Sequence, residues 1–121
     1  LPGTIPVFPL PGVLLLPRGE LPLNIFEPRY VAMVEDALQR PDRLIGMIQP
    51  REQGNEELFS TGCAGRITSF EELDDGRYMI VLTGVSRFDI LRETEPKRGY
   101  RNMAVDWARY AHDLQAQTCL N

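Results

Sequence analysis

Residues 57–91 read ELFSTGCAGRITSFEELDDGRYMIVLTGVSRFDIL, and the way this stretch pairs with itself decides the fold. Asp75-Gly76 is a hairpin signal, a place for left-handed residues that close a tight turn, so the residues on either side predict two antiparallel strands. The first runs over 57–73, with Gly62 and Gly65 as bulge or bend positions. The second begins with RYMIVLTG at 77–84, an almost continuous apolar run that predicts a central strand covered on both faces. SRFDILRE at 86–93 reads as a further strand, with Phe88 and Ile90 on one face and Arg87 and Asp89 on the other. Gly62, Gly65, Gly76 and Gly84 are assigned to backbone geometry rather than to a ligand.

Outward from this hairpin the strand signals continue. PKRG at 96–99 predicts a turn, and YRNMAVDW at 100–107 alternates, with Met103, Val105 and Trp107 inward and Tyr100 outward. Upstream, RLIGMIQ at 43–49 is a strand and REQGNE at 51–56 a loop. One helix interrupts the pattern. Pro28 suits a first helical turn, and Tyr30, Val31, Val34, Ala37 and Leu38 recur at helical spacing. Pro41 stops the helix near position 40, and Asp36 with Arg40 forms an i,i+4 pair. LNIFE at 23–27 predicts a strand before it. The first 22 residues carry prolines at 2, 6, 9, 11, 17 and 22, which forbids a helix and predicts an edge strand followed by a long loop.

Six or seven short strands with one early helix make the class mainly β (α+β), a small closed or nearly closed barrel. With 121 residues, 43% hydrophobic and 25% charged, the chain predicts one domain around one core and excludes disorder and fibres. A net charge of −4 argues against a broad footprint for nucleic-acid phosphates or anionic lipid. No run approaches the roughly 20 apolar residues of a membrane helix, and the opening lacks the basic and continuous apolar stretches of a secretory peptide; the expected compartment is the cytoplasm. Cys63 and Cys119 are too few for a disulfide framework. The chain opens on Leu1, and its closing AHDLQAQTCLN reads as the beginning of something longer.

Catalytic chemistry finds little support. The only lysine among 13 basic residues, Lys97, lies in the 96–99 turn, a poor place for the desolvated base of a Ser/Lys dyad. His112 follows the last strand in a polar tail, and one histidine with two distant cysteines is a poor zinc set, so no metal or other cofactor is implied. No GxxxxGK[ST] or strand-borne GxGxxG occurs. Glu56-Glu57, Glu71-Glu72 and Asp74-Asp75 flank loops or turns, where adjacent carboxylates read as solvated. An enzyme would have to hide in a carboxylate or thiol site, and a buried, inert Cys63 would sink that reading. Tyr78, Phe88 and Trp107 read as core rather than as base-stacking platforms, and the twelve arginines are scattered singly. What stands out is VFPLPGVLLLP at 7–17, several large aliphatics in a rigid segment that no helix can bury. Its alternative is structural, with Val7, Leu10, Val13 and Leu15 plugging the end of the barrel.

Four motifs carry a resemblance: PxFPLxxxxLxP at 6–17, FEPRY at 26–30, GxxGRI at 62–67, and DGRY with GxxRF between 75 and 88. Over roughly Ile5 to Trp107 the chain resembles the Lon N-terminal (substrate-binding) domain family, and FEPRY with GCAGRI looks most like its stand-alone bacterial members. The resemblance implies a PUA-like pseudo-barrel of about six short strands with one early inserted helix, spanning residues 1–109, with 110–121 as the start of a truncated helical portion or a tail. It also implies recognition of unfolded or damaged polypeptides, with ATP hydrolysis and cleavage carried elsewhere and any protease supplied in trans.

The expected function is therefore a non-enzymatic protein-interaction module that engages apolar, unfolded segments. Pro9, Leu10, Val13, Leu14, Leu15 and Leu16 would supply apolar contact, and Arg29 and Tyr30 a polar rim with aromatic area. Self-association through the same strip, giving a homo-oligomer, is a further expectation. The alternative is a PUA-like RNA- or nucleotide-binding module, whose binding would collapse as salt rises.

Overall fold

The structure is a computed structural model that describes residues 1–51 and 57–114. Its strands are β1 (Thr4–Pro9), β2 (Glu20–Ile25), β3 (Leu44–Ile48), β4 (Thr61–Glu72), β5 (Tyr78–Lys97) and β6 (Tyr100–Asp106). The helix α1 (Pro28–Leu38) lies between β2 and β3, and a 3₁₀ turn at Ala108–Tyr110 follows β6. The sheet order is β2-β5-β4-β3-β1-β6, and β5 also pairs with β6, so the ladder closes on itself. The architecture is the mainly β pseudo-barrel with an early helix that the sequence predicts.

Closure depends on the length of β5, which at 20 residues is one strand where two were expected. Its first part pairs with β2, Tyr78 opposite Ile25, and its second part pairs with β6, Lys97 opposite Tyr100. β4 runs along its other edge with register shifts at Ala64/Gly65 and Ile67/Ser69, so bulging falls at and just beyond Gly65. The β4–β5 connection runs over residues 73–77, where Gly76 alone has positive φ; Asp75 instead accepts the Arg77 N–H at 3.2 Å. β5 is central, but its burial alternates: Ile80 and Leu82 are buried, whereas Met79 lies on the opposite face of this hairpin, which meets solvent.

The N-terminal segment is the largest correction. β1 is an inner strand, parallel to β3 and antiparallel to β6. Its prolines are tolerated because Pro6 precedes the β3 ladder, which begins at Val7 opposite Gly46, and Pro9 ends it. The single predicted core is also two. One cluster, with Ile5, Val7, Leu44, Ile48, Phe88, Met103 and Val105, fills the barrel. The other lies between α1 and the outer sheet face and includes Met33, Val34, Ile45, Ile80 and Leu82. β3 serves both, which explains why all five of its residues are buried.

A polar clamp holds α1 to the β5–β6 turn. Arg98 and Gly99 both have positive φ, as a two-residue turn of the primed type requires. The Arg98 guanidinium reaches Asp36 at 2.7 Å and Glu35 at 2.9 Å. Tyr100, expected outward, is buried and donates its hydroxyl to Asp36 at 2.6 Å. Arg40 pairs with Asp42 at 3.3 Å rather than with Asp36. Burial alone would raise the Asp36 carboxyl, but the Tyr100 and Arg98 bonds outweigh it and hold it below its ordinary value. A carboxylate depressed on folding contributes stability that is present above its unfolded pKa and lost as pH falls through the folded one. The melting temperature should therefore drop below about pH 4, and Asp36→Asn should flatten that part of the profile while costing stability at pH 7. A thermal melt series across pH 2–7 checks both.

Candidate functional site

Residues 10–19 form a strap that carries the chain from β1 to β2 across the outer face of the sheet. Prolines at 11 and 17 keep it extended, and Gly12, at φ +74°, lets it turn. At one end the Leu10 N–H donates to the Ile48 carbonyl at 3.1 Å and the Gln49 amide to the Val13 carbonyl at 3.3 Å. At the other, Arg18 N–H donates to the Gly84 carbonyl and Gly84 N–H to the Gly19 carbonyl, both at 2.8 Å. The strap lies so close there that a Cβ on Gly84 would collide with the Leu16 carbonyl. Between these anchors successive leucines alternate. Leu15 is 4% exposed and fills the space left by Gly65, whereas Leu14 and Leu16 are 70% and 57% exposed.

Beside the strap opens a groove of about 400 Å³. Met47 and the buried Cys63 line it from the sheet, and Phe59, 47% exposed, lines it just ahead of β4. Gln49, Ser60 and Thr61 add hydrogen-bonding groups, and Arg87 of β5 is the one charged residue among the described lining residues. Arg87 is held firmly. It donates to the Asp113 carboxylate from Nη2 at 2.9 Å and from Nε and its own backbone N–H at 3.1 Å. It also lies 4.8 Å over the Tyr110 ring. His112 is exposed, as a tail histidine was expected to be, yet its neighbour Asp113 is buried and fixes this segment to the barrel. Arg87's bonds hold the Asp113 carboxyl below its ordinary value against the opposing effect of burial.

Of the predicted contact residues, the groove brings together Val13, Leu14, Leu15 and Leu16. Leu15 is core rather than surface, packed in the helix-side cluster and not at the end of the barrel. Pro9 and Leu10 are half-buried outside the groove, with Leu10 packed against the helix-side core. Arg29 and Tyr30 also lie outside it. Tyr30 is buried, stacked on Phe8 with centroids 4.2 Å apart, so it offers no exposed aromatic area; Arg29 covers that ring at 4.8 Å and pairs with Glu27 at 3.4 Å. Phe59, Met47 and Arg87 were missed as groove residues. Only Arg87 carried a signal, its outward position in the alternation of SRFDIL.

The described lining offers apolar surface, hydroxyl and amide groups, one thiol and one guanidinium. Burial, aided by the Asp113 charge and opposed by Arg87, pushes the Cys63 thiol up to about 12. A thiol that stays protonated at neutral pH is no nucleophile. Among the described residues no three His, Cys, Asp or Glu side chains are placed to share a metal ion, and no helix is long and apolar enough to cross a membrane. Cys119 and most of the 51–56 loop lie outside the described residues. Glu71, Glu72, Asp74 and Asp75 are all exposed to solvent around the β4–β5 turn.

A closed β-barrel with an inserted helix and an apolar strap defines a known class of domain. The family model of the ATP-dependent protease La (LON) substrate-binding domain matches residues 4–118, and the chain belongs to that family. It is 35% identical over 92 residues, 72% of its length, to Lon protease 2 of Sorangium cellulosum. It is 33% identical over 100 residues, 77% of its length, to Lon protease of Parabacteroides distasonis. The chain spans only 11% and 12% of those two relatives. Among solved structures, a Lon N-terminal domain protein from Xanthomonas campestris superposes with a TM-score of 0.71 at 28% identity, covering 86% of this chain and 59% of that one. The N-terminal domain of the Mycobacterium avium complex Lon protease shares the fold, with a TM-score of 0.69 at 16% identity over 86% of this chain and 54% of that one.

Proposed function

We propose that the chain is a non-catalytic substrate-binding module that takes apolar side chains of unfolded or damaged polypeptides into the strap groove, acting in the cytoplasm together with a protease. The observation that carries this reading is the pairing of two exposed leucines, Leu14 and Leu16, with an open and mostly apolar groove beside them. A large exposed apolar patch on a folded domain marks an interaction surface, and covering one leucine fully contributes about 1.5–3 kcal/mol. Membership of a substrate-binding family supports the same reading. The inert thiol supports recognition over catalysis.

The test is titration with a fluorescent, permanently unfolded polypeptide and with mixed single-stranded RNA, each at low and high salt. Polypeptide binding that survives high salt is expected, since apolar burial is little screened while phosphate contacts are lost. Replacing both Leu14 and Leu16 by Ser should weaken that binding at least about tenfold and leave the melting temperature within a few degrees of the parent. Binding of RNA alone, abolished by salt, would put the PUA-like nucleic-acid reading in its place. A large loss of thermal stability in the double variant would make these leucines core residues and remove the patch.

A further inference from the structure

Arg87, which lines the groove, belongs to an ion pair whose second member, Asp113, comes from the segment after β6. Arg87 is the only charge among the described lining residues, and a lone guanidinium in an apolar groove would favour ligands carrying a carboxylate. It is not alone, because Asp113 meets it with three hydrogen bonds and is only 5% exposed. The Asp113 carboxylate is delivered by the segment after β6, which is tied down independently. Trp107 donates its indole N–H to the Pro2 carbonyl at 2.7 Å, and the buried Tyr110 donates its hydroxyl to Asp89 at 3.0 Å. Both charges act on the Cys63 thiol beside the groove, in opposite senses.

We infer that Asp113 sets the charge preference of the groove: by cancelling Arg87 it makes the site select uncharged apolar segments over those flanked by acidic or basic residues. The inference rests on the proposed recognition of polypeptides and adds the class of segment accepted. Asp113 is a positioning residue, since it acts on the ligand through Arg87. Two opposite consequences follow. Neutralising Asp113 unmasks a cation, whereas removing Arg87 leaves an anion.

The experiment uses the whole chain at pH 8, and His112 Nε2 lies 3.6 Å from Asp113. Three fluorescein-labelled peptides share one Leu- and Phe-rich core and differ only in flanking Gln, Glu or Lys. The parent should bind the Gln-flanked peptide best. Asp113→Asn should improve the Glu-flanked peptide relative to the Gln-flanked one by about tenfold, an effect reduced by salt and abolished by adding Arg87→Gln. Asp113→Glu should keep the parent's ranking, and Arg87→Gln alone should move the preference toward the Lys-flanked peptide. If every variant changes all three affinities by one common factor, Asp113 merely holds the fold and the inference fails. Should Asp113→Asn not fold, the Arg87→Gln shift alone decides. A parent that binds none of the peptides overturns the recognition reading along with this one, which separates the two failures.

Discussion

Phe88→Ala is expected to lower the unfolding free energy by about 3–5 kcal/mol, read as a shift in the denaturation midpoint with the slope unchanged. Phe88 is completely buried in the barrel cluster and meets Trp107 edge-on at 5.9 Å. Two neighbouring strands make room for it by carrying no side chain. A Cβ on Gly46 or on Gly62 would lie 2.9 Å or 2.8 Å from the Phe88 ring. Truncation therefore leaves a cavity bounded by strands that are hydrogen-bonded on both edges, and such a wall relaxes little. The same geometry predicts coupling: Gly46→Ala should be destabilising in the parent and less so in Phe88→Ala, where its methyl enters vacated space. A loss under about 1 kcal/mol for Phe88→Ala would mean that the barrel collapses around the gap, and that the glycines do not serve to seat this ring.

Gly84→Ala should have the second-largest effect, and it should act on binding as well as on stability. The glycine has no need of a left-handed backbone; it is required because the Leu16 carbonyl and the Pro17 Cα press against it. A methyl group there must push the strap outward. The overpacking costs about 1–3 kcal/mol, and loss of the two hydrogen bonds to Arg18 and Gly19 adds about 0.5–1.5 kcal/mol each. Leu14 and Leu16 would then no longer stand beside the groove, so affinity for the unfolded polypeptide should fall by more than the stability loss alone explains. Fluorescence titration at a temperature well below the variant's melting point separates the two effects. Unchanged affinity with a displaced strap would show that the leucines bind without the rest of the groove.

What could be read before the structure followed the range of the interactions involved. The helix and the β4–β5 hairpin depend on spacing and turn chemistry within a few residues, and both stand where the motifs put them, apart from Asp75. The place of β1 could not be read, since its neighbours β3 and β6 are distant in the chain and its prolines argued for an edge. Tyr100 misled for the same reason: alternation along β6 put it outward, and only the arrival of Asp36 from α1 shows why it is buried. The groove divides in the same way. The leucine run announced the strap, but that Leu15 turns inward depends on the gap at Gly65, and the Arg87–Asp113 pair joins residues 26 apart with no motif between them.

The position of β1 has a consequence for synthesis. Val7 finds β3 once Gly46 has emerged, yet the opposite edge of β1 is met by β6, with Thr4 opposite Ala104. A nascent chain on the ribosome therefore carries an unsatisfied strand edge until β6 has emerged, and closure waits for that strand. Such an edge is a template for intermolecular pairing, and topologies dominated by distant contacts close slowly. The barrel is thus committed late and all at once, and truncations that remove β6 should yield aggregating fragments rather than a smaller domain.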